Sequence, residues 1–141
     1  MNPPHGLLER TADFALAIIR LYASLPKTTE GQVLGKQLLR SGTSVGAHMQ
    51  EARRGRSDAE MLSKLEVGLQ EMEESRYWLR LLVRSGIVFQ DKVASLQEEA
   101  RQLTAMLVAS SKTIKARRLS RVSSKTIPGL LAFIAFYFFP V

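Results

Sequence analysis

Residues 33–57, VLGKQLLRSGTSVGAHMQEARRGRS, decide the fold of this chain. They predict a helix whose middle is built from glycine, serine and threonine instead of bulky apolar residues. Glycine inside a helix costs roughly 1 kcal/mol relative to alanine. Gly42 and Gly46 are four residues apart and share one helix face, which indicates that another backbone approaches closely there. The segment ends in Arg53, Arg54 and Arg56, so it points to assembly and an anionic partner instead of catalysis.

Three further segments have the apolar spacing of helices. The four helices are predicted at about residues 7–25, 30–54, 58–85 and 91–117. Pro26 ends the first, and capping-box patterns at Thr29–Gln32 and Ser57–Glu60 open the second and third. Short loops between long helices require antiparallel neighbours. The fold class is therefore predicted to be all-α, an up-and-down antiparallel four-helix bundle formed by residues 1–117.

Apolar residues at three- and four-residue steps define the predicted core stripes. The predicted stripe of the first helix consists of Leu8, Ala12, Ala15, Ile18, Ile19, Tyr22 and Leu25. Apolar residues off these stripes predict a second apolar face, which on a bundle helix is most simply a subunit contact. They are Phe14 and Leu21 on the first helix and Val67, Trp78 and Leu81 on the third. Arg76 falls within the stripe of the third helix. A buried arginine needs a partner, and Glu73, three residues earlier, is in position to supply one.

The net charge of +7 is concentrated near the end of the sequence. Residues 112–125 contain six Lys/Arg and no acid, whereas residues 1–111 contain 14 Lys/Arg against 13 Asp/Glu. Such a basic segment favours phosphate groups or an anionic membrane surface. The apolar run that follows, residues 130–139, is about half the length that a membrane-spanning helix needs. Residues 118–141 are therefore expected to form a basic, then apolar, poorly ordered tail. The alternatives are packing of the apolar run on a second copy or another partner and, as the least favoured, contact with a membrane.

The composition excludes several kinds of chemistry. The chain has no cysteine, so disulfides, thiolate catalysis and cysteine-ligated metals are excluded. With no secretory pattern at the start, this favours a cytoplasmic location. His48 and Ser44 are four residues apart, but a structural histidine is the simpler interpretation, and the Glu-x-x-His pattern of di-metal bundles is absent. The sequence thus predicts neither an enzyme nor a cofactor or metal site.

Two motifs carry a resemblance to a known family. QLLRSGTSVGAHMQEA at residues 37–52 and QEMEESRYWLRLL at residues 70–82 resemble the four-helix-bundle proteins of the 23S ribosomal RNA intervening-sequence family, over roughly residues 7–117. LPK at 25–27 and RGRS at 54–57 extend the match. The resemblance implies a bacterial bundle that assembles as a ring, usually a homopentamer. A more distant likeness is to the accessory protein of diversity-generating retroelements, which binds nucleic acid and the reverse transcriptase.

The residues that match the family motifs are expected to serve packing. They are Ser41, Gly42, Ser44, Gly46, Glu51, Glu71, Glu74, Tyr77 and Trp78. The three glutamates are expected to bind arginine, hydroxyl or backbone groups of neighbouring helices. His48 stands where the family usually has asparagine, and Arg76 replaces an apolar residue.

The candidate nucleic-acid contacts are basic residues of the second helix and of the segment after residue 111. They are Lys36, Arg40, Arg53, Arg54, Arg56, Lys112, Lys115, Arg117 and Arg118. A ring repeats each cluster by symmetry, which turns a modest patch into a continuous basic surface. We therefore expect a non-enzymatic homo-oligomer that binds RNA or another nucleic acid, with adaptor function for a second protein. The alternatives are a protein scaffold for an acidic partner, and a membrane-surface bundle held by the tail.

Overall fold

The computed structural model describes the backbone of residues 5–138 and the side chains of residues 6–124. Four α-helices follow one another: α1 (His5–Ser24), α2 (Thr29–Arg53), α3 (Asp58–Arg84) and α4 (Gln90–Phe138). Each helix packs against its neighbours along the chain, and α4 closes onto α1. Within the described range there is no strand. The predicted all-α four-helix bundle is confirmed, and the first three helices differ from their predicted bounds by at most two residues.

The turns between helices are fixed by local hydrogen bonds. The Oγ1 of Thr28, one residue before the predicted capping box, accepts the N–H of Gly31 at 3.2 Å and opens α2. Ser57 opens α3, where its Oγ accepts the N–H of Glu60 at 3.1 Å. Gly86, with φ of 75°, ends α3 in a Schellman motif, because the N–H of Ile87 reaches the carbonyl of Leu82 at 3.1 Å.

The core is a single apolar cluster to which all four helices contribute. Its largest fully buried side chains are Leu7, Phe14, Ile18, Leu38, Val45, Met49, Leu65, Met72, Leu79, Leu82, Leu103 and Leu107. Phe14 is only 1% exposed and Leu21 only 5%, so the prediction that they form a subunit-facing second face was wrong. The α1 stripe is rotated relative to the predicted one, and Leu16 and Ile19 lie on its exposed side.

Arg76 lies at the edge of the bundle and not in its core. Its Nη1 donates to Glu73 Oε1 at 2.8 Å, the pairing that the three-residue spacing predicted. Ser75 occupies the buried position of the α3 stripe instead. A small hydroxyl at this position avoids the desolvation of a buried guanidinium.

The glycines of α2 lie where α1 approaches. A Cβ on Gly42 would lie 2.9 Å from Cγ1 of the buried Ile18, and a Cβ on Gly46 would lie 3.4 Å from the backbone oxygen of Thr11. Small residues at these positions let the two helices come closer than bulky side chains permit. The close approach that Gly42 and Gly46 predicted is thus present between α1 and α2.

Helix α4 continues beyond residue 117, where the sequence predicted its end. Residues 112–124 contain neither glycine nor proline and include the good helix formers Lys, Arg, Ala and Leu. The Oγ atoms of Ser120 and Ser124 donate to carbonyls three residues earlier, at 2.9 and 3.0 Å. The side chains of His5, Lys125 and the apolar run 130–139 lie outside the described part, and the poor order expected of the tail stays a prediction.

Candidate nucleic-acid interface

The turn between α2 and α3 exposes three arginines. Arg53 is the last residue of α2, Arg54 is its C-cap, and Arg56 precedes the N-cap of α3. The turn is tight at Gly55, where a Cβ would lie 3.1 Å from the backbone nitrogen of Met61. All three arginine side chains are exposed, and none forms an ion pair within the described part of the chain. They therefore remain available to an external anion.

Asp58 brings α4 to this same end of the bundle. Arg117 donates through Nε to Asp58 Oδ2 at 3.0 Å and through Nη2 to Oδ1, and Arg121 donates to Oδ2 at 2.8 Å. The Asp58 side chain is only 15% exposed. Because Asp58 lies two residues after Arg56, this contact places the α4 segment near residue 117 beside the α2–α3 turn.

We call residues 53–60 and 112–121 together the basic end. It carries eight Lys/Arg against two Asp/Glu. Lys115 pairs with Glu66 at 2.7 Å and Arg117 with Asp58, so these two predicted contacts are partly neutralised. Lys112 and Arg118 are exposed and have no ion pair among the described side chains. Five of the predicted contact residues therefore lie in the basic end with uncommitted charge.

Arg40 and Lys36 lie elsewhere. Their positions on α2 are 13 and 17 residues before Arg53, which corresponds to about 20 and 25 Å along the helix. Lys36 is exposed, whereas the guanidinium of Arg40 donates to Glu71 at 3.2 Å and also to Glu74 Oε1. Arg40 thus serves as a bridge from α2 to α3, and its charge is already compensated.

The family-motif residues form a polar seam between α2 and α3. The buried hydroxyls of Ser41 and Ser75 lie 2.9 Å apart, and each also lies within hydrogen-bond distance of a carbonyl in its own helix. The Trp78 indole donates to Glu74 Oε1 at 3.2 Å, and its ring meets that of Tyr77 edge to face, with centroids 4.9 Å apart. Across the helices, Glu71 and Glu74 accept hydrogen bonds from Arg40 of α2, one of the kinds of partner that the sequence predicted.

The remaining motif residues with polar side chains make contacts within α2 or with α3. Ser44 donates to the carbonyl of Arg40 at 2.7 Å. Glu51 lies 2.6 Å from Nζ of Lys64 on α3 and 3.6 Å from Nδ1 of His48. Among the described side chains, no three His, Cys, Asp or Glu residues are grouped so that they would hold a metal ion. None of the described helices combines the length and the apolar character needed to span a bilayer.

Sequence reasoning missed the anchoring role of Asp58 and Arg121. In the sequence, Asp58 falls inside the capping box at Ser57–Glu60 and Arg121 inside the basic run 112–125, and neither pattern pairs the two residues. Arg117 and Arg121 are four residues apart and so share a helix face. That spacing was the available signal, but the acid they share is 59 residues away from Arg117.

The Asp58 anchor is expected to fail in acid. The hydrogen bond from Arg117, together with the charges of Arg117 and Arg121, holds the pKa of Asp58 below its ordinary value of 3.8. The pKa of Asp58 is lower in the folded protein than in the unfolded protein. The ion pairs of Asp58 therefore stabilise the fold above pH 3.8, and this stabilisation is lost as pH falls through the folded-state pKa. Thermal unfolding midpoints measured in acid are expected to fall less steeply with pH in Asp58→Asn than in the parent. Asp13→Asn, at an exposed α1 site, is the control, and equal slopes in all three proteins would contradict the anchor.

Comparison with known proteins places this geometry in a family context. The family model described as 23S rRNA-intervening sequence protein matches residues 6–109. A crystal structure of a protein of unknown function from the S23 ribosomal protein family of Bacteroides thetaiotaomicron is similar to the chain, with 33% sequence identity and a TM-score of 0.71. The match covers 75% of this chain and 95% of that one. No curated protein matches the chain. The family match ends before Lys112, so the α4 part of the basic end lies outside it.

Proposed function

Because the chain belongs to the 23S rRNA-intervening sequence protein family, we propose that it is a non-enzymatic, self-assembling bundle that binds RNA or another nucleic acid in the cytoplasm. The basic end is the contact surface. The observation that carries the proposal is the exposed trio Arg53, Arg54 and Arg56, which form no ion pair within the described chain. Lys112 and Arg118 add two further uncommitted charges.

Charges of this kind bind the phosphate backbone. Guanidinium groups match phosphate oxygens with two parallel hydrogen bonds, which makes arginine well suited to that contact. Contacts to phosphate position a protein but carry no sequence information. Binding is therefore weakly selective for sequence and falls steeply with salt, because each contact releases condensed counterions.

Assembly strengthens such a surface. Leu16 and Ile19 on α1 are 48% and 46% exposed and three residues apart, so they share an outward face that a second copy can cover. The family resemblance suggests a homopentamer. In such a ring, the basic end of each copy is repeated around the symmetry axis. Light scattering of the purified protein measures this directly, and a single-copy mass at micromolar concentration contradicts the assembly part of the proposal.

The triple variant Arg53→Ala/Arg54→Ala/Arg56→Ala tests the contact surface. We expect it to bind a labelled single-stranded RNA about tenfold or more weakly at low salt, since three phosphate contacts are lost. The slope of log affinity against log salt is expected to shrink in magnitude by about 2, because each single-strand contact contributes about 0.7. Fluorescence anisotropy across a salt series measures both quantities.

A variant with the same loss of charge serves as the control. Arg20, Lys27 and Lys92 are exposed and form no ion pair within the described chain, and they lie outside the basic end. Alanine at these three positions removes an equal charge, so it reports the general electrostatic effect alone. Equal weakening in the two triple variants assigns binding to net charge and overturns the basic end as the site. Recovery of a protein partner that survives nuclease treatment, with no RNA shift, favours the scaffold function instead.

A further inference from the structure

A second charged feature lies at the opposite end of the bundle. Between the last turns of α3 and the first turns of α4 there is a groove of about 400 Å³. It is lined by Arg76, Arg80, Gln90, Ala94, Gln97, Glu98 and Arg101. Its α3 residues, Arg76 and Arg80, lie 18 and 22 residues beyond Asp58, which corresponds to about 27 and 33 Å along the helix axis. The groove is therefore separate from the basic end, and we call it the arginine groove.

The lining of the arginine groove is predominantly cationic. The lining residues carry three guanidinium groups and one carboxylate, that of Glu98. Glu98 accepts two hydrogen bonds from Arg101, at 2.9 and 2.6 Å, and one from Gln102 at 2.9 Å. The hydrogen bond from Arg101, with that from Gln102, lowers the pKa of Glu98 to about 2, and the ionised carboxylate compensates the charge of Arg101.

Arg80 is the uncommitted cation of the groove. Its side chain is exposed and forms no ion pair within the described part of the chain. Arg76, four residues earlier on the same face, uses only Nη1 for Glu73, at 2.8 Å, which leaves Nη2 and Nε to donate elsewhere. Gln90 and Gln97 are joined by a hydrogen bond of 2.7 Å and line the α4 side.

Arg76 and Arg80 share one face of α3 and line the same groove, so their unused donors border one space. Guanidinium forks at positions i and i+4 of one helix point to the same side, so two arginines can engage different oxygens of one tetrahedral anion. The volume lies in the range of small-molecule sites, and Ala94 lines the groove beside the charged and amide side chains. The size suits a nucleotide-sized group.

We propose that the arginine groove is a phosphate-binding site, with Arg80 as the principal ligand and Arg76 as the second. The bound group is a phosphate ester, carried either by a free nucleotide or by a nucleic-acid strand. The site uses none of the residues assigned to the basic end, so it stands or falls independently of the basic end as the RNA contact surface.

Calorimetric titration of the full chain with AMP, and with adenosine as the ligand that lacks phosphate, tests the site. We expect AMP to bind and adenosine not to bind. Arg80→Gln is expected to weaken AMP binding about tenfold, the effect of losing a charge-assisted hydrogen-bonding partner. Arg84→Gln removes an exposed charge one turn further along α3, outside the groove lining, and is expected to leave the AMP affinity within about twofold.

The two phosphate sources are distinguished by a third titration. A short oligoribonucleotide is titrated into Arg53→Ala/Arg54→Ala/Arg56→Ala, with and without Arg80→Gln. If Arg80→Gln weakens binding of the oligoribonucleotide in this background, the groove is assigned to a nucleic-acid strand. If Arg80→Gln weakens binding of AMP alone, the groove is assigned to a free nucleotide. Equal affinities in Arg80→Gln and Arg84→Gln, or no binding of either phosphate ligand to the parent, overturns the proposal. An unchanged AMP affinity in the basic-end variant with weakened RNA binding supports two separate sites.

Discussion

Leu79→Ala is expected to lower the free energy of unfolding by about 3–4 kcal/mol, in the range measured for leucine deletions in packed cores. Leu79 is 0% exposed and lies in the α3 stripe, where it contributes to the single apolar cluster of the bundle. Removing three carbons there loses transfer free energy and leaves a cavity that the neighbouring helices fill only partly. For a domain whose total stability is about 5–15 kcal/mol, that is a large fraction.

Urea unfolding followed by circular dichroism measures this loss. The protomer concentration must be equal for all variants, because any assembly contributes to the apparent stability. Leu119→Ala is the matched control, since Leu119 is 73% exposed on α4, and it is expected to change stability by no more than about 0.5 kcal/mol. Similar losses in the two variants would contradict the assignment of the core.

Gly42→Val is expected to cost about 3 kcal/mol of stability, at the upper end of overpacking effects. Even a Cβ at this position lies 2.9, 3.1 and 3.3 Å from Cγ1, Cγ2 and Cβ of Ile18. These atoms are at the root of a β-branched and fully buried side chain, so they cannot rotate away without moving α1. Thermal and urea unfolding of the variant measure the effect.

Gly46→Ala is the informative comparison, because it lies on the same face of α2 one turn later. Its Cβ would lie 3.4 Å from the carbonyl oxygen of Thr11, which is an ordinary contact. Alanine is a better helix former than glycine by roughly 1 kcal/mol, so this variant is expected to be as stable as the parent or slightly more so. If Gly46→Ala were the more harmful of the two changes, the tight contact would lie at Gly46 and not at Gly42.

The parts of the fold that were predictable depend on local sequence. Pro26, Ser57 and Gly86 determine helix ends through hydrogen bonds and backbone angles within a few residues. The orientation of a helix about its own axis, in contrast, depends on packing against other helices. In α1 the series through Ile19 and the series through Phe14 both have helical spacing, and only packing against α2 and α4 selects the second.

The candidate interface also has a part that local sequence reveals and a part that depends on how the helices pair. The trio Arg53, Arg54 and Arg56 was visible because the three residues are nearly consecutive and follow a predicted helix. The compensation of Arg40 was not visible, because Glu71 is 31 residues away and becomes a neighbour only when α2 and α3 pair. Charge in a sequence therefore identifies possible contacts, and the ion pairs of the fold decide which remain available.

The contact between Ser41 and Ser75 sets the axial register of α2 and α3. The two hydroxyls are in contact at only one axial offset between α2 and α3. A slip of one helical turn, about 5.4 Å, would place Ser75 against Leu38 or Val45. That slip would lose the hydrogen bond between the two buried hydroxyls and leave each with only the carbonyl of its own helix, so it is disfavoured by about 0.5–1.5 kcal/mol. The serine pair thus favours one axial position of α2 relative to α3. The turn that carries the three arginines therefore takes the same position in every copy of the protein.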